Sequence, residues 1–153
     1  MATLRETLKA TGKVNFKLFD KDGNLKEDRT IKNLVVTSGL EHIAARLANS
    51  GIPAQMSHMA IGTGTDAPVL ADPGLGYEEA RVALSVAGGT PSGTSITYAA
   101  TFGATVGEGA ITEAGIFNND GTPAGDMLCR TVFLPINKGA DDSLAVTWEV
   151  TIS

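Results

Sequence analysis

The chain has 153 residues, a formal net charge of −5, one cysteine and two histidines. That length supports one domain with a sizeable core that needs no disulfide or metal. Cys129 alone cannot close an internal disulfide, which excludes a stapled secreted scaffold and points to synthesis in a reducing cytoplasm.

No basic segment is followed by an apolar stretch and no apolar run approaches ~18 residues, so the sequence predicts neither export by a signal peptide nor a membrane helix. Eighteen Gly and six Pro with few aromatics suit short strands joined by many turns. The charge is uneven: Met1 to Lys32 hold eight Lys/Arg against five Asp/Glu, and the remainder hold four against twelve. Two readings of this basic arm stay open. Its lysines, Lys9, Lys13 and Lys17 among them, and Arg5 either protect an edge hairpin from pairing or dock on an acidic neighbour, another copy of the chain being one candidate. Nucleic-acid binding has no support, because the chain as a whole is acidic and shows no platform of aromatics with Arg/Lys.

In chain order, residues 1–11 are polar without a sustained period and predict a mobile or partner-ordered tail ahead of one domain over 12–153. Val14, Phe16 and Leu18 alternate with polar residues as a first strand, Asp22-Gly23 signals a hairpin turn, and a second strand runs from about Leu25 to Lys32. Asp20, Asp22 and Asn24 invite a calcium loop, but the sixth and twelfth positions hold Leu25 and Ile31 where glycine and glutamate are required. Ser38, with Glu41 three residues on, reads as a capping box opening a helix whose apolar stripe is Leu40, Ile43, Ala44 and Leu47, with His42 facing solvent.

Ser57 to Gly62 reads as a core strand. The Gly62-Thr-Gly-Thr-Asp-Ala-Pro68 run after it resembles a phosphate loop but lacks the Gly-Lys-Ser/Thr ending and a following helix, so it reads as the start of a long surface loop over 62–78. Strands follow at Val82–Ser85, Ile96–Phe102, Gly109–Asn118 and Met127–Leu134, the last stopped by Pro135, with Gly88 to Gly93 a plain turn. The last stretch, Ser143 to Ile152, is the clearest: Leu144, Val146, Trp148, Val150 and Ile152 fall on one face of an extended strand, the only Trp among them. Together these elements predict a mainly β domain, an antiparallel two-sheet β-sandwich of jelly-roll type with one short inserted helix, sealed by its C-terminal strand around Trp148.

Little chemistry is signposted. There is no G-x-S-x-G elbow, no Cys-His pair in a recognisable setting and no metal-ligand cluster, and His58 is assigned to packing or hydrogen bonding. Glu113, among small and apolar residues, could be catalytic with Glu108, but their odd separation puts them on opposite faces of a regular strand. The better reading pairs Glu113 with Arg81 or Arg130 as a buried or interfacial structural group. The sequence therefore predicts no enzyme, cofactor or metal.

Several segments, in order, carry a resemblance: Asn33-Leu-Val-Val-Thr37 with Gly39-Leu40 and Ile43-Ala44; His58-Met-Ala-Ile-Gly-Thr-Gly-Thr65; Leu75, Glu78 and Arg81; Glu113-Ala-Gly-Ile-Phe117; Met127-Leu-Cys-Arg130; and the alternating strand ending in Trp148 to Ile152. Over about residues 33 to 152 the set resembles small β-rich virion structural proteins of tailed bacteriophages. That resemblance implies a non-enzymatic building block located in the virion: a head decoration or cement protein, or a tail-fibre, tail-tip or baseplate adaptor. A compact domain with a basic arm suits cement, binding the major capsid protein through residues 1–32 and the 62–78 loop, with Arg5, Lys9, Lys13, Lys17, Thr63, Thr65 and Asp66 as contact residues and no nucleic acid or membrane as partner. A carbohydrate-binding sandwich is the remote alternative; it requires exposed aromatics in a cleft, and only Tyr77 and Tyr98 remain once Trp148 is placed in the core.

Overall fold

The computed structural model describes residues 7–121 and 125–153. Nine strands and one helix follow one another: β1 (Ala10–Phe19), β2 (Leu25–Val35), α1 (Thr37–Ala48), β3 (His58–Gly62), β4 (Glu78–Ala83), β5 (Thr90–Ser92), β6 (Ser95–Phe102), β7 (Gly109–Phe117), β8 (Met127–Lys138) and β9 (Ser143–Ile152). All pair antiparallel in one sheet of order β4-β3-β7-β8-β2-β1-β9-β6-β5, curled into a half-barrel.

Cross-strand rows build the core of the first half-sheet. Val14, Trp148 and Tyr98 stand side by side, as do Phe16, Val146 and Ala100, and Leu18, Leu144 and Phe102. All nine are buried and share one cluster with Met59, Ile61, Ile111 and Ile116 from the opposite wall. Burying a Trp or Phe side chain here stabilises by roughly 1.5–3 kcal/mol each, which is why a strand with this alternation has only one workable register.

The mainly β, antiparallel expectation matches this architecture; the division into two sheets does not. Leu34 and Val35 of β2 pair with Arg130 and Cys129 of β8, so the two halves are continuous through hydrogen bonds. Beyond that short junction Arg29 bridges the strands, its guanidinium donating to the Leu134 and Pro135 carbonyls. Pro135, expected to stop the strand, lies inside β8. The ladder with β7 skips there, passing from the Glu113–Val132 pair to the Ile111–Ile136 pair, and a bulge is where a residue without an N–H is tolerated. The expected 88–93 turn contains the short edge strand β5, and the expected tail already pairs at Lys9, whose N–H and C=O both bond Ser153.

The helix differs most. Its N-cap is Val36 without a side-chain cap, because Ser38 Oγ instead donates to the Met127 carbonyl across the junction with β8. The buried helical residues are Gly39 and His42, whereas Leu40 and Leu47 are exposed. Gly39 sets this orientation: a Cβ there would collide with the Leu128 carbonyl, so only glycine lets the first turn lie flat on β8.

Candidate functional site

Half of the sheet has a second covered face. Beyond the main core, β3, β7 and β8 point Ala60, Phe117 and Met127 outward into a smaller cluster with Val36, against which Leu75 of the 62–78 loop packs. Glu113 projects on this outer side, fully buried. Its Oε1 accepts the N–H groups of Gly64 (2.9 Å) and Tyr77 (2.7 Å), and its Oε2 accepts that of Gly76 (2.8 Å) and both Nε (3.1 Å) and Nη2 (2.8 Å) of Arg130. Arg130 Nη1 then reaches Asp72 Oδ2 at 2.8 Å, and the same oxygen accepts the Val69 N–H.

One carboxylate and one guanidinium thus clamp both ends and the middle of the loop. The two glycines of the Gly-Thr-Gly-Thr run serve this clamp. A Cβ at Gly62 would meet the Tyr77 carbonyl and Glu113, and one at Gly64 would meet Glu113 Oε1. A glycine-lined nest of N–H groups is the arrangement that binds phosphate elsewhere; here its anion is the chain's own carboxylate. Burial pushes the Glu113 carboxyl up, but the N–H donors and Arg130 outweigh it and hold it below the ordinary carboxylate value. Burial likewise opposes the charge on Arg130, and its bonds to Glu113 and Asp72 reverse that effect.

The other candidate residues are dispersed. Arg81 does not reach Glu113; it pairs with Glu78 (2.7 Å), donates to Asn119, and lies 3.8 Å over the Phe117 ring. Glu108 is exposed ahead of β7, facing buried Lys138 at the other end of the half-barrel, so no pair of acids forms with Glu113. Trp148 is in the core. Lys9, just ahead of β1, and Lys13 and Lys17 within it are exposed, Lys13 pairing with Glu149 at 3.7 Å. Thr65 and Asp66 are exposed on the loop, and Thr63 is half-buried beside Glu79. Arg5 lies outside the described residues. His58 Nδ1 is bonded to Ser57 Oγ at 2.8 Å. No group of His, Cys, Asp and Glu among the described residues could hold a metal ion, and no helix there is long and apolar enough to cross a membrane.

A second feature was not signposted. Between α1 and the open end of the half-barrel runs a groove of about 510 Å³, lined by Ile43, Leu47, Ile96, Tyr98 and Val150 with His42 and Arg46 on the helix side. Burial pushes the Tyr98 hydroxyl up to about 12, the neighbouring Cys129 adding to it, so it stays neutral. His42, expected in solvent, is only 8 % exposed; its Nδ1 has no hydrogen-bond partner and stands 3.9 Å from Asp126. Burial lowers its pKa, opposed by Asp126 and aided by Arg46, so the ring is neutral at neutral pH. The helical period gave a stripe but not its direction, since Gly39, not a large apolar residue, decides which face touches the sheet.

The chain matches no family model, no curated protein and no solved structure.

Proposed function

We propose that this protein is a non-enzymatic structural component of a tailed-phage virion, acting as a capsid decoration or cement protein that binds the major capsid protein and stabilises the head. The observation that carries the reading is how the strongest candidate chemistry is committed. Glu113 spends both oxygens on three loop N–H groups and Arg130, so this carboxylate is not free to act as an acid or base, and the result is a stiff loop presenting Val69, Leu70 and Tyr77 to solvent. Exposed apolar groups on a rigid scaffold suit protein contact better than turnover.

The two half-sheets act as the two layers of a sandwich around Trp148, which keeps the outer surface free for neighbours. Each copy adds a modest interface to the assembled shell, and a ligand that binds only the assembled state favours it by mass action. Neither a cofactor, a nucleic acid nor a membrane enters this role. The test is to mix the purified protein with decoration-free heads, pellet them, and compare gel band intensities with the capsid protein. Saturation at a fixed ratio to capsid subunits, with greater resistance of the heads to heat, is expected. Binding confined to tails, at a small fraction of the capsid stoichiometry, would replace this reading with a tail adaptor; no binding to either would end it.

A further inference from the structure

The outer loop and the groove are complementary to each other, although they lie on different parts of the molecule. The loop bears two adjacent apolar side chains, Val69 and Leu70, each 54 % exposed, preceded by exposed Asp66. Asp72 and the Glu113–Arg130 pair hold the turn from Val69 to Asp72 in one conformation. The groove offers the converse: an apolar floor, Leu47 on its rim at 83 % exposure, and Arg46 beside it. Neither Asp66 nor Arg46 has an ion-pair partner among the described residues.

The loop and the groove cannot meet within one molecule. The Leu70 carbonyl is tied to the Thr37 N–H at the start of α1, while Arg46 and Leu47 stand at its end, roughly 14 Å further along the axis at 1.5 Å per residue. We propose that a second copy of this chain supplies the occupant: the Val69-Leu70 turn of one molecule inserts into the α1 groove of another, with its Asp66 meeting Arg46. The contact joins two different patches, so it is heterologous and builds a ring or a chain of copies. Burying two rigid aliphatic anchors in an apolar depression with a charge pair at the rim is the usual anatomy of an interface core. The idea deepens the structural-protein reading by naming one partner, yet it concerns the purified protein alone.

Sedimentation velocity of the full chain over a wide concentration range tests it. Wild type is expected to form oligomers, with association weakened by salt through the Asp66–Arg46 pair. Leu70→Asp, which spoils the inserting turn, and Leu47→Asp, which spoils the groove, should each weaken association roughly tenfold or more while leaving the thermal midpoint unchanged at protein concentrations low enough for wild type to be monomeric, since both side chains are exposed. Mixing the two variants should return a dimer and nothing larger, because only one intact turn and one intact groove remain. Asp66→Arg and Arg46→Asp should each weaken association, and their combination should restore it. A wild type that stays monomeric at every concentration overturns the proposal, as does association indifferent to these variants; either result leaves binding to heads, measured separately, untouched.

Discussion

The two halves of the sheet bury themselves differently. In β1, β6 and β9 one face packs on the core and the other is bare, so exposure alternates residue by residue; in β3 and β7 the residues are buried on both faces over most of their length. A strand covered on one side can send its polar residues to water. A strand covered on both must satisfy them internally, and Glu113 is the case in point.

The largest effect is expected from breaking that internal satisfaction. Glu113→Ala leaves Arg130 as a buried charge held only by Asp72 and strips three loop N–H groups of their acceptor; Arg130→Met leaves Glu113 buried without its cation. Losing one partner of a buried pair costs about 3–5 kcal/mol. Because the two act on one unit, the double variant should cost less than the sum of the singles, with a coupling of about 0.5–3 kcal/mol in urea unfolding. Limited proteolysis of Glu113→Ala should cut within residues 64–77 before the rest of the chain unfolds. Additive single effects with an uncut loop would show that the loop holds its place without the clamp.

An intermediate effect should appear in the pH dependence of the thermal midpoint, and it separates the clamp from the helix. Glu113 has its pKa lowered in the fold, so its contribution is complete above the ordinary 4.5 and is lost as pH falls through the depressed value. His42 also has a lowered pKa, so protonation favours the unfolded chain and the loss begins as pH falls past the ordinary 6.5. Wild type should therefore lose stability in two steps on acidification, the lower one shared by Glu113 with Asp20 and Asp142, whose carboxyls are also held low by hydrogen bonds. His42→Gln should remove the upper step and keep the lower. A single step below 4.5 in wild type would mean that the buried imidazole does not couple to folding.

The same contrast explains what the sequence could tell. The period-2 strands with one bare face, β1, β6 and β9, were legible down to the inward face of Trp148. Where both faces are covered the alternation disappears, so 109–118 read as an apolar run with a glutamate in it. The sequence offers Arg81 or Arg130 as partner for that glutamate without choosing between them, and the glutamate's other donors, on Gly64, Gly76 and Tyr77, are backbone groups that leave no mark in side-chain pattern. The mark they do leave is glycine, at positions 62 and 64, and it was visible only as a phosphate-loop likeness. The helix face failed for a related reason: hydrophobic periodicity assumes that large apolar residues face inward, and a close backbone approach at Gly39 reverses that locally. The β2–β8 junction rests on two residue pairs, Leu34–Arg130 and Val35–Cys129, too few to register as a pattern.

The smallest expected effect lies on the bare face, and it is the sharpest check on the comparison. Thr147 is exposed, in a cross-strand row with Asn15 and Ala99, and its neighbour Trp148 is fully buried. Thr147→Ala should change stability by no more than about 0.5 kcal/mol, whereas Trp148→Ala should cost about 3–5 kcal/mol. Along β7 from Ile111 to Phe117 no such neighbouring pair exists, since every residue there is buried, and Glu113 and Ala114, both fully buried, lie on opposite faces. Urea midpoints measured at low protein concentration check this directly. A Thr147→Ala penalty approaching that of a core residue, and growing with protein concentration, would show that this face too is covered in solution by another copy, and the two halves would then differ only in what covers them.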